Sequence, residues 1–421
     1  MKTFLSAWWE RLSTSYWFIP SVMTIVATTF SFATVHIDSM INTKWARTAG
    51  WIWAGGPEGA RNVLATVAGS TITVAGVVFS ITIVALTLAS SQFGPRLLRN
   101  FMNDRATQVV LGVFVSTFLY SLLVLRTIRG TDSNSFVPYL SVTCGLVFAV
   151  ASVGFLIFFI HHVPSSILAE NLIGRVAREL LEGIDRLYPD MIGTGEKEND
   201  ELQSETLPGD FAKEARQLES NESGFIQAIA EDRLLKLATE EHLILRLRRR
   251  PGHFVAEGAP LAAGWPADRI NDEVERKFRD AFLLGRQRTP TQDVESSIDQ
   301  LVEVAVRALS PGVNDPFTAI SCLEWLGVAL IRVGGRRIPS PYRYDKEGHL
   351  RVVTETTDFA GLAAAALNQI RQYGRSSIAV VVRLLDVVAR VGEQTAMGEG
   401  PRDLARACPR RARGRVGGGR K

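Results

Sequence analysis

The sequence predicts an α-helical membrane domain with four transmembrane helices, followed by a mixed α+β cytoplasmic domain. Three observations carry that expectation. Four stretches contain no Asp, Glu, Lys or Arg, at residues 16–35, 63–89, 109–125 and 136–160, so all 90 charges fall in the other 332 residues. A bilayer-crossing helix needs about 20 apolar residues, and apolar runs of about 14 or fewer read better as buried soluble helices. Aromatic residues gather at the ends of the first run, with Trp8, Trp9, Tyr16 and Trp17 at or before its start and Trp45, Trp51 and Trp53 after it. Amphipathic rings of this kind settle at the headgroup level. Finally, the apolar period changes beyond residue 222, where strand-like alternation appears between helical segments.

Residues 1–164 therefore form the membrane domain. Lys2 and Arg11 precede the first run as they would in a signal peptide, but the run is longer than a signal core and residues 33–40 offer no small-x-small cleavage site. The second run is the longest, at 27 residues. It carries Thr66, Thr73, Ser80 and Thr87 every seven residues, with Gly69 and Gly76 three positions beyond the first two. That heptad spacing makes one narrow polar stripe on an apolar cylinder. Two functions fit it. Small residues and hydroxyls let transmembrane helices pack closely, or the same face from several copies lines a wet path without fixed charge.

After this run, Leu97, Leu98, Phe101 and Met102 interleave with Arg96, Arg99 and Arg105, as in a short interfacial helix. His161 and His162 end the fourth run as a polar interfacial cap, and Pro164 interrupts the helix. Near the spans, seven Lys and Arg residues lie on the side of the termini and five on the other, which favours cytoplasmic termini in a multi-pass protein of the bacterial inner membrane.

Residues 165–189 predict an amphipathic connecting helix, with Leu172, Ile173, Val176, Leu180, Ile184 and Leu187 on one face and Arg175, Arg178, Glu182 and Asp185 on the other. Residues 190–222 hold ten acids against three bases and read as a flexible acidic linker. Residues 223–392 form the α+β domain. Strands are expected at 225–229 and around Leu243, Leu245 and Leu247, with a helix at 231–241 between them. The segment from Arg250 to Leu261, with Gly252 and Gly258, reads as a hairpin like those of biotinyl and lipoyl carriers, without a modifiable lysine. Thr289-Pro-Thr-Gln292 resembles a capping box opening a helix along Val294, Ile298, Leu301, Ala305 and Ala308. Asp315-Pro316 supplies an N-cap and first-turn proline for the next helix. A hairpin turning at residues 345–348 and two helices broken at Gly374 complete the domain.

The overall charge of plus 4 comes from the end of the chain. Residues 401–421 carry a local charge of plus 7 in a Gly, Arg and Pro composition, so residues 393–421 read as a disordered basic tail rather than as a nucleic-acid-binding module. Cys144, Cys322 and Cys408 have no metal-ligand spacing. Walker, GxGxxG, GxSxG and HExxH signatures are missing, so no cofactor, metal or catalytic residue is expected.

Three longer motifs resemble a known family. They are Ser15-Tyr-Trp-Phe-Ile-Pro20, the run from Thr73 through Ser80 and Ser90-Ser-Gln-Phe-Gly-Pro95 to Asn100, and Arg307-Ala-Leu-Ser-Pro-Gly-Val-Asn-Asp-Pro-Phe-Thr-Ala319. They are similar to bacterial membrane proteins of domain-of-unknown-function family 2254, a likeness covering about residues 10–392. The resemblance implies a bacterial membrane protein and brings no activity with it. Arg307, Ser310, Asn314, Asp315 and Thr318 in the third motif form a candidate cytoplasmic motif; local capping already accounts for Asp315, and a ligand or metal role for Asn314 and Asp315 is the alternative. The expected function is an oligomeric, channel-like membrane protein regulated by its cytoplasmic domain. The alternative is a membrane-anchored sensor or scaffold, and the expected partners are the lipid bilayer and further copies of the chain.

Overall fold

A computed structural model describes residues 16–40, 55–94, 104–130, 136–188 and 207–396. The chain separates into two compact units, one up to Asn171 and one from Leu172 onward. The expected interfacial helix around residues 95–103 and the basic tail beyond residue 396 lie outside the described residues, whereas residues 393–396, assigned to that tail, continue the last helix, Ile378–Ala396.

The first unit is helical. Its apolar helices are α1 (Phe18–Met40), α2 (Pro57–Phe93), α3 (Arg105–Leu125) and α4 (Tyr139–Ile167), and each has the length and composition to cross a membrane. The α3 helix is central and packs against the other three. In its most apolar stretch 56% of the residues are buried, against 17–22% in α1, α2 and α4. Those three accordingly leave large apolar side chains such as Ile25, Val26, Val84, Val150 and Ile157 exposed, as lipid-facing helices do. At Gly112 on α3 an added Cβ would stand 2.5 Å from the Met23 sulfur, so glycine allows α1 its close approach.

Polar contacts fix the helix ends. The Asp104 carboxylate accepts hydrogen bonds from the Ala106 amide and, at 2.7 Å, the Thr107 hydroxyl at the start of α3. It also lies 2.7 Å from Nε2 of His162 near the end of α4. The helix continues through Pro164 and ends at Ile167, three residues beyond the expected interruption. Proline removes the amide that would bond the Ile160 carbonyl, while the Ser165 and Ser166 hydroxyls add bonds of their own to the His161 and Val163 carbonyls of the same stretch. The α2 helix also outruns its charge-free core, taking in Glu58 and Arg61 at one end and reaching Phe93 at the other. Its 37 residues make a rod of about 55 Å.

The second unit takes in most of α5 (Ala169–Leu187), whose face of Leu172, Ile173, Val176, Leu180 and Ile184 is buried. After α6 (Phe211–Glu214) come β1 (Arg216–Glu219), β2 (Gly224–Ile229), α7 (Glu231–Glu240), β3 (Ile244–Leu247), β4 (Phe254–Val255), β5 (Pro260–Trp265), α8 (Asp272–Arg279) and β6 (Phe282–Gly285). Then follow α9 (Val294–Ala308), α10 (Pro316–Gly334), β7 (Tyr342–Tyr344), β8 (Leu350–Val353), α11 (Phe359–Tyr373) and α12 (Ile378–Ala396). One sheet has the order β1-β5-β3-β8-β7 and the other β4-β2-β6. Both share a core with α7 and α8, built on Leu218, Ile226, Leu234, Leu245 and Phe278. The helices α9 to α12 pack on one another, and Asp185 of α5 bridges Arg332 and Arg336 at the end of α10.

Three local expectations differ from this fold. Residues 211–219, assigned to the acidic linker, form α6 and an edge strand, because Leu218 is buried and Arg216 donates at 2.7 Å to the Ile270 carbonyl. The two glycines of the 250–261 segment do make turns at positive φ, yet β4 and β5 lie in different sheets and do not pair, so this is a crossover rather than a hairpin. The α9 helix is capped by Asp293, not Thr289. Gln292 instead pairs with the Ile229 backbone through both amide atoms, and the Thr289 hydroxyl bonds the Gln227 carbonyl.

Candidate functional site

The α2 stripe lies on the open side of its helix. Leu64, Val67, Ala68, Thr71, Ala75 and Val78 form the buried face, stepping by three and four. Thr66, Gly69, Thr73, Gly76, Ser80 and Thr87 are all exposed, and a Cβ built on Gly69 or Gly76 meets nothing within 4 Å. Each hydroxyl bonds back to its own helix: Thr66 to the Asn62 carbonyl, Thr73 to Gly69, Ser80 to Gly76 and Thr87 to Ile83, at 2.7–2.9 Å. Back-bonding of this kind satisfies the hydroxyl without a partner helix. Among the described residues, then, the stripe is not the surface on which the chain packs against itself.

The third motif is a tight connector between α9 and α10. Arg307 stands in the last turn of α9. The Ser310 carbonyl accepts from the amides of Val313 and Asn314, and Asn314 takes a left-handed backbone with φ of 50°. The Asp315 carboxylate accepts from the Phe317 and Thr318 amides and, at 2.6 Å, from the Thr318 hydroxyl. The Thr318 hydroxyl bond above all holds the Asp315 carboxyl below its ordinary value. Both carboxylate oxygens thus serve the first turn of α10, while Val313 and Phe317 project outward. The motif runs from the last turn of α9 through the connector to the first turn of α10; it brings Asp315 and Thr318 into contact, with the carboxylate used for capping.

Sequence reasoning missed a third feature. The larger sheet carries a half-open cavity of about 600 Å³, lined by Phe211, Gln217, Arg246, Arg248, Ala263 and Glu355 with their neighbours. Its floor follows the strand register. Gln217 pairs with Ala263, Ala263 with Arg246, and Arg246 with Val353, so one row crosses β1, β5, β3 and β8. The signal was present as Arg246 and Arg248 two positions apart on a strand, but which strands flank them is a long-range property. A cluster that was also missed joins the loop before α9 to that helix: Arg288 donates to Asp293 at 2.7 Å and to Asp299 at 2.6 Å, and Arg250 reaches Glu295 at 2.7 Å. Among the described residues, no group of three or more His, Cys, Asp or Glu side chains could hold a metal ion.

Comparison with known proteins agrees with the membrane character of the first unit. The chain is 34% identical over 348 residues to an uncharacterized protein of Mycobacterium bovis and to uncharacterized proteins of two strains of Mycobacterium tuberculosis. The match covers 81% of this chain and 65% of each relative, so the chain spans somewhat less than two thirds of their length. No solved structure matches. Residues 13–390 match the family model described as predicted membrane protein, DUF2254, and with nine-tenths of its length inside that match the chain belongs to this family of membrane proteins.

Proposed function

We propose that the protein is an oligomeric, channel-like protein of the bacterial inner membrane, with copies of α2 facing one another across the Thr66–Thr87 stripe. The observation that carries this reading is the exposure of all six stripe residues on a helix whose other side is packed. In this reading α1 to α4 span the bilayer with both termini in the cytoplasm, and the second unit is cytoplasmic and regulates the path. The α10 helix is also long and apolar enough to cross. Its midpoint, however, carries Glu324, held by Arg383 and Arg390 of α12, an arrangement suited to a soluble bundle. Cysteine at Thr73, Gly76 or Ser80 should react with a small membrane-impermeant thiol reagent, whereas cysteine at the buried Val78 should not. Protection at all four positions, or no ion or solute flux in liposomes across voltage, tension and pH, would overturn the path.

The cavity on the larger sheet favours a second reading, in which the spans anchor a ligand-sensing unit. Its volume falls within the range of small-molecule sites. Ligand-dependent thermal stabilisation of the full-length protein tests it.

A further inference from the structure

The geometry points to a phosphate-bearing organic anion, of about nucleotide size, as the ligand of the cavity on the β1-β5-β3-β8 face, an assignment that rests on the ligand-sensing reading. In a strand, residues two apart share a face and lie about 7 Å from each other. Arg246 and Arg248 therefore project from one face of β3 and its continuation, and the Arg248 amide still bonds the Leu261 carbonyl of β5. Both side chains are exposed, and neither has an ion-pair or side-chain hydrogen-bond partner among the described residues. Other arginines of this unit are engaged: Arg216, Arg250, Arg288, Arg336, Arg343, Arg351, Arg383 and Arg390 all have carboxylate partners.

The space between the functional groups comes from Ala263. It sits between Gln217 and Arg246 in the register row, so two strand spacings, about 10 Å, separate those longer side chains across a floor of one methyl group. Phe211 and Ala212 of α6 and Val353 of β8 supply apolar walls. Glu355 is the one carboxylate of the lining, against two guanidiniums. A guanidinium offers paired donors that match phosphate oxygens, and two of them about 7 Å apart suit a diphosphate or a phosphate beside a second anionic group. Gln217, Thr354 and Glu355 are then available to the hydroxyl or amine groups of the organic part.

The test uses the full-length protein in nanodiscs of zwitterionic lipid. Titration with ADP tests a soluble source of this chemistry and titration with dioctanoyl phosphatidate a lipid one. Saturable binding of either is expected, weakened at least tenfold by R246Q and by R248Q and lost in high salt. A263L, which fills the floor without changing charge, should abolish it. Binding of neither probe, or binding that ignores all three substitutions, overturns the assignment. Thermal stabilisation by adenosine or spermidine that persists in R246Q and R248Q also overturns it while leaving the ligand-sensing reading intact.

Discussion

Asp38, two residues before the end of α1, caps a helix a hundred residues away. Its carboxylate accepts from the Ser141 amide at 2.9 Å and the Ser141 hydroxyl at 2.6 Å, and from the Leu140 amide at 3.0 Å, at the start of α4. The local N-cap, Pro138, has no side chain with which to do this. Asp38→Ala should lower the stability of the first unit by about 2 kcal/mol, the scale of a lost charged cap. Asp38→Asn should lose less. Thermal unfolding in detergent would show the order; equal loss from both substitutions would assign the whole effect to the charge, and no loss from Asp38→Ala would contradict the cap.

Gly76 and Gly112 separate surface from core. At Gly112 the added side chain would collide with Met23 and Pro20, whereas at Gly76 it meets open space. Gly112→Leu should reduce the melting temperature markedly, by overpacking of about 1–3 kcal/mol or more. Gly76→Leu should leave it unchanged while altering the assembly state measured by light scattering. A monomeric wild-type protein would remove the basis for the second expectation.

Arg288→Met should destabilise the second unit by about 3 kcal/mol, because it strands the Asp293 carboxylate in a nearly inaccessible position. Adding Asp293→Asn should recover part of that loss, since a neutral amide can still cap the Ser296 amide. Urea unfolding of the single and double variants measures the coupling, and simple additivity would argue against a paired charge.

Asp345 should make the β7–β8 hairpin sensitive to acid. Burial by itself would raise its carboxyl, but the Arg351 guanidinium and the His349 amide hold it below its ordinary value. A depressed folded-state value contributes stability that is fully present above the unfolded carboxylate range, about pH 4, and is lost as pH falls through the folded value. Hydrogen exchange of residues 342–353 should therefore quicken below about pH 4 in the wild type. In D345N exchange should be quicker at neutral pH and nearly insensitive to that descent.

Local chemistry was readable in the sequence and distant pairing was not. Charge-free runs mark α1 to α4 because hydrocarbon tolerates so little else, and Asp315-Pro316 marks the start of α10 because a cap and its helix are adjacent in sequence. Gln292 misled for the opposite reason: a plausible capping residue was recruited by β2, sixty-three residues earlier. The same holds for β4 and β5, whose turns are local but whose partners are not. The stripe on α2 could be seen as a pattern, while its outward direction depends on which face α3 covers.

The hydroxyl bonds of α2 have a chemical consequence for whatever meets that helix. A hydroxyl has one hydrogen to donate and two lone pairs with which to accept. Thr66, Thr73, Ser80 and Thr87 have each spent the hydrogen on a carbonyl of their own helix. What remains outward is a ladder of electron pairs, one rung every seven residues or about 10 Å. Such a ladder receives cations and the hydrogens of water, and it offers an anion nothing unless an intrahelical bond opens first.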